Sequence, residues 1–532
     1  MARSGIAFPF SLALLCVTLP ILVHAKASLT NFTVTPSASA GTACNPGPQT
    51  WTTLSSSPAG IWPYMTLLLT DGTVMASDAS NIANSSWWLL HPDMNGCYAD
   101  GYWTPIQAMP AGYSPLYFAS AVLPDGRVII EGGEYNQGIK NQTNLGAIYD
   151  PTVNQWTSVP APTSWANIGD APGIVLSNGT FMLSGYQSFG SAPVALLNAS
   201  TTPPSWTTIQ PTGKATGQDE EGWTLLPNGN ILDIDILLKQ GEIYNPNTHV
   251  WTQTPTIPVQ LGDQACYEIG PTVLRPDGTV FALGATSSTA IYHTSNNGWT
   301  AGPVVPNSMV VSDGPAAILP NGKVLFGATP AGSPPTTCYG FNIQFFEFDG
   351  VSINFTSVPP DTQISQRRTQ DSMLLVLPTG QILLTLTTPY EYLYTESGTY
   401  TSSWRPTLTS SIPTTLVRGQ SNYSMQGKQL NGMTQATSFG DENQNATNYP
   451  LARITNSHSG HVRYVRTHAF SSMGVATGSA IVSAQFDIPT NIEIGASTFE
   501  VVANGIPSVA VNVNVECTSD GIFCDGMEQV VW

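Results

Sequence analysis

The stretch Ala119–Gly133 reads ASAVLPDGRVIIEGG, and its pattern recurs through most of the chain. Two apolar runs flank Pro124-Asp125-Gly126. An Asp-Gly pair between β-branched runs is a strong hairpin signal, because both residues tolerate the backbone angles of a tight turn. The same phrase returns at Leu69–Gly72, Leu176–Gly179, Leu226–Gly229, Pro276–Gly278, Leu319–Gly322 and Leu377–Gly380. The sequence therefore predicts seven hairpins, whose turn glycines lie 44 to 58 residues apart.

A strand that ends in an aromatic residue follows most of these hairpins. The clearest example is Ala147–Thr157, and Glu242–Thr252 repeats its pattern. The aromatic residues are Trp103, Trp156, Trp206, Trp251, Trp299, Phe355 and Trp404. A period near 50 residues with this arrangement is typical of a kelch-type β-propeller. We predict an all-β fold with a seven-bladed propeller over residues 51–404, closed by a strand at Trp51; an open array of repeats is the alternative.

The remaining segments differ from the repeat. Residues 405–515 alternate apolar and polar positions in short runs such as Ala480–Phe486 and Phe499–Ala503, the pattern of an immunoglobulin-like β-sandwich. Residues 516–532 form a predicted tail, and residues 26–50 a leader. Residues 1–25 combine Arg3, an apolar run and a small-residue cleavage site at Ala25, which predicts a secretory signal peptide and an extracellular location, periplasmic or cell-surface in a bacterium.

Charge and cysteine content narrow the function classes. Charged residues make up 9% of the chain and the formal net charge is −18, which disfavours nucleic acid and anionic membranes as partners. Removal of the signal peptide leaves six cysteines, an even number that suggests disulfides in an exported protein. Cys517–Cys524 closes a short loop and is the strongest pairing. Cys44–Cys97 and Cys266–Cys338 are hypotheses.

The chain resembles galactose oxidase and glyoxal oxidase, the copper-radical oxidases, over roughly residues 50–515. Tyr392-Leu393-Tyr394, Gly398 and Arg405-Pro406 are similar to that family's exit from its last blade. Thr467–Ser472 is similar to the loop by which the C-terminal domain delivers a copper-ligand histidine to the propeller axis. The resemblance therefore implies a secreted propeller followed by a sandwich, with His468 as a candidate metal ligand.

The copper site that the resemblance implies is only partly present. That family uses a tyrosine cross-linked to a cysteine, an axial tyrosine and two histidines. Each propeller ligand lies eight residues before the Asp/Asn of a hairpin turn, and this count gives Tyr117 for the cross-linked tyrosine but Pro63 for the cysteine. Gln370-Asp371 stands where the family has Tyr-His. We therefore expect neither a cysteinyl-tyrosine radical nor copper-radical oxidase activity.

The same count places carboxylates at the start of five consecutive inner strands. These residues are Asp170, Glu220, Glu268 (one position farther), Asp313 and Asp371. Like charges crowded at the mouth of the propeller axis are costly unless they are paired or bind a metal. Ca²⁺ or a similar hard cation is one solution, a transition metal between His468 and Asp371 is another, and Arg367 and Arg368 are neutralising partners. The carboxylates could also accept backbone N–H groups or face water singly.

Three functional hypotheses follow. The first is an acidic mouth that binds carbohydrate or another polar ligand, with or without a divalent cation; its residues are Asp170, Glu220, Glu268, Asp313, Arg367, Arg368 and Gln370. The second is an enzyme with a rebuilt hydrolytic or metal-assisted site, with Asp371, His468 and Tyr117 as catalytic candidates. The third is a structural scaffold for protein partners. The sequence contains no nucleophile elbow, phosphate loop or dinucleotide fingerprint.

Overall fold

The computed structural model describes residues 47–48, 50–186, 193–218, 220–333, 337–439 and 445–517. The predicted signal peptide and most of the predicted tail lie outside these residues. The described parts consist of strands, turns and four short 3-10 turns, at Pro306–Ser308, Ile364–Gln366, Thr369–Asp371 and Ser402–Trp404. Across them, we find no helix with the length and apolar character needed to cross a bilayer.

Seven antiparallel sheets follow one another along residues 50–395 of the described chain, and each contains one of the predicted hairpins. From the inner strand outward, sheet 1 is Pro63–Leu68, Val74–Asp78, Trp87–His91 and Tyr102–Pro105; sheet 2 is Ala119–Val122, Val128–Glu131, Gly146–Asp150 and Gln155–Val159; sheet 3 is Gly173–Val175, Phe181–Ser184, Val194–Asn198 and Ser205–Ile209. Sheet 4 is Thr224–Leu225, Ile231–Ile234, Gly241–Asn245 and Val250–Gln253; sheet 5 is Thr272–Leu274, Thr279–Leu283, Thr289–His293 and Gly298–Ala301. Sheet 6 is Ala316–Ile318, Val324–Ser333, Gln344–Phe348 and Ile353–Phe355; sheet 7 is Ser372–Val376, Ile382–Leu386, Glu391–Thr395 and Thr50–Thr53.

Three short strands and one small separate sheet add to this pattern. Sheet 6 is extended by Met309–Val310, Thr337–Tyr339 and Thr437–Ser438. A separate three-stranded sheet joins Pro115–Leu116, Tyr135–Asn136 and Ile139–Lys140 next to sheet 2.

The hairpin turns confirm the sequence pattern on which the repeat was predicted. The turn glycines all have positive φ, between 81° and 87°: Gly72, Gly126, Gly179, Gly229, Gly278, Gly322 and Gly380. In sheet 2, the Gly126 N–H donates to the Leu123 carbonyl at 2.9 Å. The Asp125 carboxylate accepts the Arg127 N–H at 3.0 Å. Glycine is needed because other residues rarely adopt this φ, and Asp or Asn pins the turn through its side chain.

The inner strands lie side by side. Contacts join the inner strands of sheets 7, 1, 2 and 3 in one series and those of sheets 4, 5, 6 and 7 in another. Sheets 3 and 4 share an apolar cluster that contains Ile174 and Leu225. The inner strands are buried along their length, which explains why they are mostly apolar and do not alternate regularly between apolar and polar residues.

The strand Thr50–Thr53 completes sheet 7, as predicted. It pairs antiparallel with Glu391–Thr395, and Trp51 lies opposite Tyr394. Trp404 was predicted for the outer strand of this repeat but lies in the 3-10 turn Ser402–Trp404. The reason is that Thr50–Thr53 already occupies the outer edge of the sheet.

Two further sheets occupy residues 407–516. Sheet 8 is Thr407–Leu408, Tyr423–Lys428, Ile481–Phe486 and Thr467–His468; sheet 9 is Thr415–Val417, Val511–Glu516, Gly495–Ala503, Leu451–Asn456 and Val462–Val465, with Ile506–Pro507 beside it. Both runs singled out in the sequence are strands. This region packs against the hairpin turns of the repeat, because the Arg466 guanidinium donates to the Asp125 carbonyl at 2.8 Å and the Phe470 N–H to the Pro124 carbonyl at 3.3 Å.

Residues 433–439 and 445–449, which we call the axial segment, enter between the inner strands. Thr437–Ser438 pairs with Ala316–Ala317 of sheet 6. The Gln435 side-chain oxygen accepts the Leu225 N–H of sheet 4 at 2.8 Å. The Asn445 amide donates to the Leu374 carbonyl of sheet 7 at 3.0 Å, and the Tyr449 hydroxyl donates to the Leu68 carbonyl of sheet 1. A polar segment from the C-terminal region thus contacts inner strands from four of the sheets.

Candidate functional site

The residues that precede the inner strands surround a cavity of about 290 Å³, which we call the mouth cavity. It lies at the end of the inner strands opposite the hairpin turns. Its lining comprises Ile82, Leu116, Tyr117, Glu134, Tyr135, Asp170, Glu220, Glu268, Asp313, Tyr339 and Gln370. The structure thus brings together five residues that the repeat spacing singled out, from sheets 2 to 6: Tyr117, Asp170, Glu220, Glu268 and Asp313. From the entry to sheet 7, the cavity is lined by the ligand-binding candidate Gln370 and not by Asp371, which the spacing had given.

A recurring backbone conformation presents these side chains to the cavity. Tyr117, Glu220 and Asp313 have φ values of 52°, 60° and 43°, in the left-handed region. In the other two repeats the preceding residue adopts it, at Gly169 with φ 70° and Tyr267 with φ 61°. Non-glycine residues avoid this region because of steric strain, and such strain clusters at functional sites.

Three of the carboxylates form a tight cluster. Glu220, Glu268 and Asp313 each have a carboxylate oxygen within 4.8 Å of the other two. Two unit charges at that distance repel each other by about 3 kcal/mol at an effective dielectric constant of about 20. The cluster therefore needs compensation from a proton, a positive group or a bound cation.

Asp170 lies against this cluster. Its side chain is 2% exposed and is hydrogen-bonded to Glu220. The second carboxylate oxygen, Oδ1, has no hydrogen-bond partner among the described residues. Burial raises the pKa of Asp170 above that of an ordinary carboxyl, while a backbone hydrogen bond and the bond to Glu220 oppose the shift.

The loops that carry Glu268 and Asp313 are fixed to each other. The Asp313 N–H donates to the Ile269 carbonyl at 3.2 Å, and the Glu268 carbonyl accepts the Asp263 N–H at 2.8 Å. The Tyr339 hydroxyl donates to Asp313 Oδ2 at 3.3 Å.

A disulfide joins the loop that carries Glu268 to the strand Thr337–Tyr339. Cys266–Cys338 has its Cα atoms 5.7 Å apart and confirms that predicted pairing. Cys97 and Cys517 are also disulfide-bonded, and their predicted partners, Cys44 and Cys524, lie outside the described residues.

Tyr117, Tyr135 and Gln370 also line the cavity, and Tyr64 lies beside Gln370. The Tyr64 hydroxyl donates to the Gln370 carbonyl, and the Gln370 amide lies 3.5 Å from the Tyr117 hydroxyl. The rings of Tyr117 and Tyr135 meet edge to face at 6.3 Å. Burial, followed by nearby carboxylates, raises the pKa of Tyr117 well above its usual value, so its phenol stays protonated and can donate a hydrogen bond.

Asp371, Arg367 and Arg368 lie at the entry to sheet 7 and do not line the mouth cavity. Asp371 accepts the Arg368 backbone N–H at 2.8 Å, and burial raises its pKa against the opposing effect of that bond and of both arginines. The Arg367 guanidinium donates to Thr387 and Gln363. The Arg368 guanidinium stacks 4.4 Å from the centre of the Phe341 ring.

His468 lies elsewhere. Its Nε2 is 3.1 Å from Asp487 Oδ1, and the Thr467 N–H donates to the Thr70 carbonyl in the sheet 1 hairpin. The hairpin turns lie about 25 Å from the mouth, given the rise of a strand. The structure therefore does not bring His468 to Asp371. The segment that enters between the inner strands is the axial segment, not Thr467–Ser472.

The donor set of the mouth does not fit the copper that the family resemblance implies. Copper in proteins favours imidazole and sulfur ligands. The described residues that line the cavity include no histidine and no cysteine. Where the family would have its cysteine, sheet 1 has Pro63 and Tyr64, so we derive no copper chemistry here.

The sequence analysis missed three polar residues that line the cavity, Glu134, Tyr135 and Tyr339. It also missed Tyr64, which contacts the lining residue Gln370. The pairing register of sheet 1 shifts between Pro63 and Thr66, and Tyr64 lies seven residues before Asp71, one fewer than the eight that were counted to reach Pro63. Allowing one residue fewer, the opposite of the adjustment made for Glu268, would have found it. Glu134 and Tyr135 follow sheet 2's hairpin and Tyr339 lies on an added strand of sheet 6, so the repeat gave no signal for them.

A buried lysine neutralises the acids behind the cluster. Lys214 Nζ is 2.6 Å from Glu221, 2.8 Å from Asp233 and 2.6 Å from Glu242, and its side chain is 4% exposed. These three carboxylates raise the pKa of Lys214 against the effect of desolvation, so it stays charged. Glu221 is thus held in the interior of sheet 4, whereas its neighbour Glu220 lines the mouth cavity.

Comparisons with known proteins give a local sequence match and weak fold likenesses. No family model matches the chain. It is 30% identical over 87 residues to the Kelch-like protein terF of Aspergillus terreus, which is 16% of this chain and 18% of that protein. The match therefore spans about a fifth of that relative.

Solved structures align more broadly but loosely. A fungal alcohol oxidase of the AA5 family in complex with copper has a TM-score of 0.34 at 15% identity, over 85% of each chain. Virginiamycin B lyase from Staphylococcus aureus has a TM-score of 0.44 at 12% identity, over 65% of this chain and 98% of that one. The local match to a kelch-like protein agrees with the kelch-type repeat predicted from the sequence.

Proposed function

We propose that the chain is a secreted, galactose-oxidase-like protein that binds carbohydrate or another polyhydroxylated ligand in the mouth cavity. The observation that carries the proposal is the convergence of five carboxylates and three tyrosines on one cavity of about 290 Å³. Carboxylates accept hydrogen bonds from hydroxyl groups, protonated phenols donate them, and aromatic rings pack against the apolar faces of sugars. A concave site with few, well-placed polar groups is the usual form of a ligand pocket.

The proposed architecture is a seven-bladed propeller over residues 51–404 and an immunoglobulin-like sandwich over residues 405–515. In support, inner strands are in contact from sheet 4 through sheet 7 to sheet 3, sheets 3 and 4 share an apolar cluster, and Thr50–Thr53 joins the last sheet. Closure in this way removes open sheet edges and gathers the strand entries of all repeats at one mouth.

Ligand binding can be tested with a glycan array, followed by calorimetry on the best glycan. Tyr135→Ala removes a half-buried aromatic ring from the cavity and should weaken binding at least tenfold. Tyr102→Ala is the matched control, because Tyr102 is a half-exposed tyrosine at the hairpin-turn end of sheet 1. Equal affinities for both variants and the wild-type chain would reject the mouth as the binding site.

A hydrolytic enzyme is the second candidate, favoured by the Asp170–Glu220 pair. Two hydrogen-bonded carboxyl groups, one of them with a raised pKa, can serve as a general acid and its partner. Turnover of a bound glycan that Asp170→Asn abolishes while binding persists would support this candidate. Binding without any turnover would leave the protein as a lectin-like binder.

A further inference from the structure

We propose that Glu220, Glu268 and Asp313 form a binding site for Ca²⁺ or a similar hard divalent cation, with Asp170 as a supporting donor. The inference deepens the proposed function, because the cation would present open coordination positions to ligand hydroxyls. The cation would thus be the group that holds the ligand in the mouth cavity.

The geometry of the cluster suits a cation. One carboxylate oxygen from each of the three residues lies within 4.8 Å of the others, a separation that a single ion can bridge. Ca²⁺ binds oxygen ligands at about 2.3–2.6 Å, and oxygens on opposite sides of an ion are therefore about 4.6–5.2 Å apart. All donors are carboxylates, and carboxylate oxygens bind hard cations in preference to softer transition metals.

A second, independent observation points to a ligand at this position. Asp170 is 2% exposed and lines the same cavity, and its Oδ1 has no hydrogen-bond partner among the described residues. A buried carboxylate oxygen without a partner is costly to maintain. A cation beside Glu220, to which Asp170 is hydrogen-bonded, would supply the missing partner.

The scaffold fixes the donors before any ion binds. Glu220 and Asp313 have left-handed backbone conformations, and the Cys266–Cys338 disulfide ties the loop before Glu268 to the strand that carries Tyr339. The Tyr339 hydroxyl in turn donates to Asp313. Pre-organisation of this kind reduces the entropy that a site loses on binding.

The first test is titration of the full mature chain with Ca²⁺ alone, monitored by calorimetry. The second is titration with Tb³⁺, which emits light when nearby tyrosines transfer their excitation energy to it. We expect one ion per chain, with Tyr117 and Tyr339 as donors of the luminescence. Glu268→Gln and Asp313→Asn should each weaken binding at least tenfold. Asp277→Asn is the matched control, since it removes a carboxylate from the same sheet as Glu268 but at the hairpin turn. Circular dichroism and thermal unfolding show whether each variant is folded.

No heat and no sensitised emission with the wild-type chain would overturn the proposal, as would equal binding by all variants. Glycan titrations with and without EDTA separate the two claims. Ca²⁺ binding without glycan binding would leave the cation site standing and reject the proposed function. Glycan binding that EDTA does not weaken would support the proposed function and reject the role of the cation in holding the ligand.

Discussion

Cys266 and Cys338 are joined across two repeats, and the disulfide lies two residues before Glu268 and one before Tyr339. It therefore connects one member of the acidic cluster to the residue that hydrogen-bonds another, Asp313. The link is a covalent clamp on the mouth cavity.

Replacing both cysteines by serine should loosen this clamp. The pair is separated by 72 residues, so its removal should lower the free energy of unfolding by about 4 kcal/mol on the loop-entropy argument. Urea unfolding measures that loss, and Tb³⁺ titration of the folded variant should show weaker binding. Unchanged Tb³⁺ affinity would mean that the clamp serves stability alone.

Lys214→Met should destabilise the fold strongly. The substitution leaves Glu221, Asp233 and Glu242 without their shared cation in a buried setting, which typically costs about 3–5 kcal/mol. Lys140→Met is the matched control, because Lys140 is 61% exposed and its ion pair with Glu134 should contribute less than about 1 kcal/mol. Denaturant unfolding measures the loss of free energy of unfolding in each variant. Similar losses in Lys214→Met and Lys140→Met would contradict this account.

Glu391→Gln should change how stability depends on pH. Glu391 is fully buried beside the strand that completes sheet 7, its carboxylate accepts the Ser57 hydroxyl at 2.6 Å, and burial raises its pKa to about 7. Because the folded-state pKa lies above the unfolded one, the protonated group stabilises the fold fully below about pH 4.3. That contribution is lost as the pH rises to about 7.

Between pH 4 and 8, the free energy of unfolding of the wild-type chain should therefore fall by up to about 3 kcal/mol relative to that of the Gln variant. Urea unfolding at both pH values, with Asp277→Asn as the control, measures the difference. If the free energy of unfolding depended on pH in the same way for the wild-type and Glu391→Gln chains, the pKa of Glu391 would not be raised in the folded state.

Gln435→Leu tests the axial segment. The substitution removes the acceptor of the buried Leu225 N–H, and an unpaired buried donor costs about 1–3 kcal/mol. Gln426→Leu, on an exposed position of sheet 8, should change the free energy of unfolding by less than about 0.5 kcal/mol. Equal stabilities of the two variants would indicate that the axial segment is not held by this contact.

The repeat and its turns could be predicted because their signals are local. Asp125-Gly126 and its counterparts fix a turn within a few residues, and a constant strand length then places Asp170, Glu220 and Asp313 at equivalent positions. Sequence spacing is reliable where each repeat obeys the same backbone register.

The parts that were missed depend on contacts that are distant in sequence or break the register. Tyr64 lies within the register shift between Pro63 and Thr66, one position off the count of eight, and its hydroxyl donates to the Gln370 carbonyl. Thr437–Ser438 pairs with Ala316–Ala317, more than a hundred residues away, and its polar sequence has no strand periodicity. The motif around His468 is short, and its resemblance could not distinguish the loop at the hairpin turns from the one that enters between the inner strands.

The most direct test of the central claim is a crystal structure of the mature chain grown with Ca²⁺ and its best glycan. The account predicts ligand density in the mouth cavity, against Tyr135 and next to Glu268 and Asp313. Density for the glycan at the hairpin-turn end, near His468, or anywhere outside the mouth cavity would contradict it.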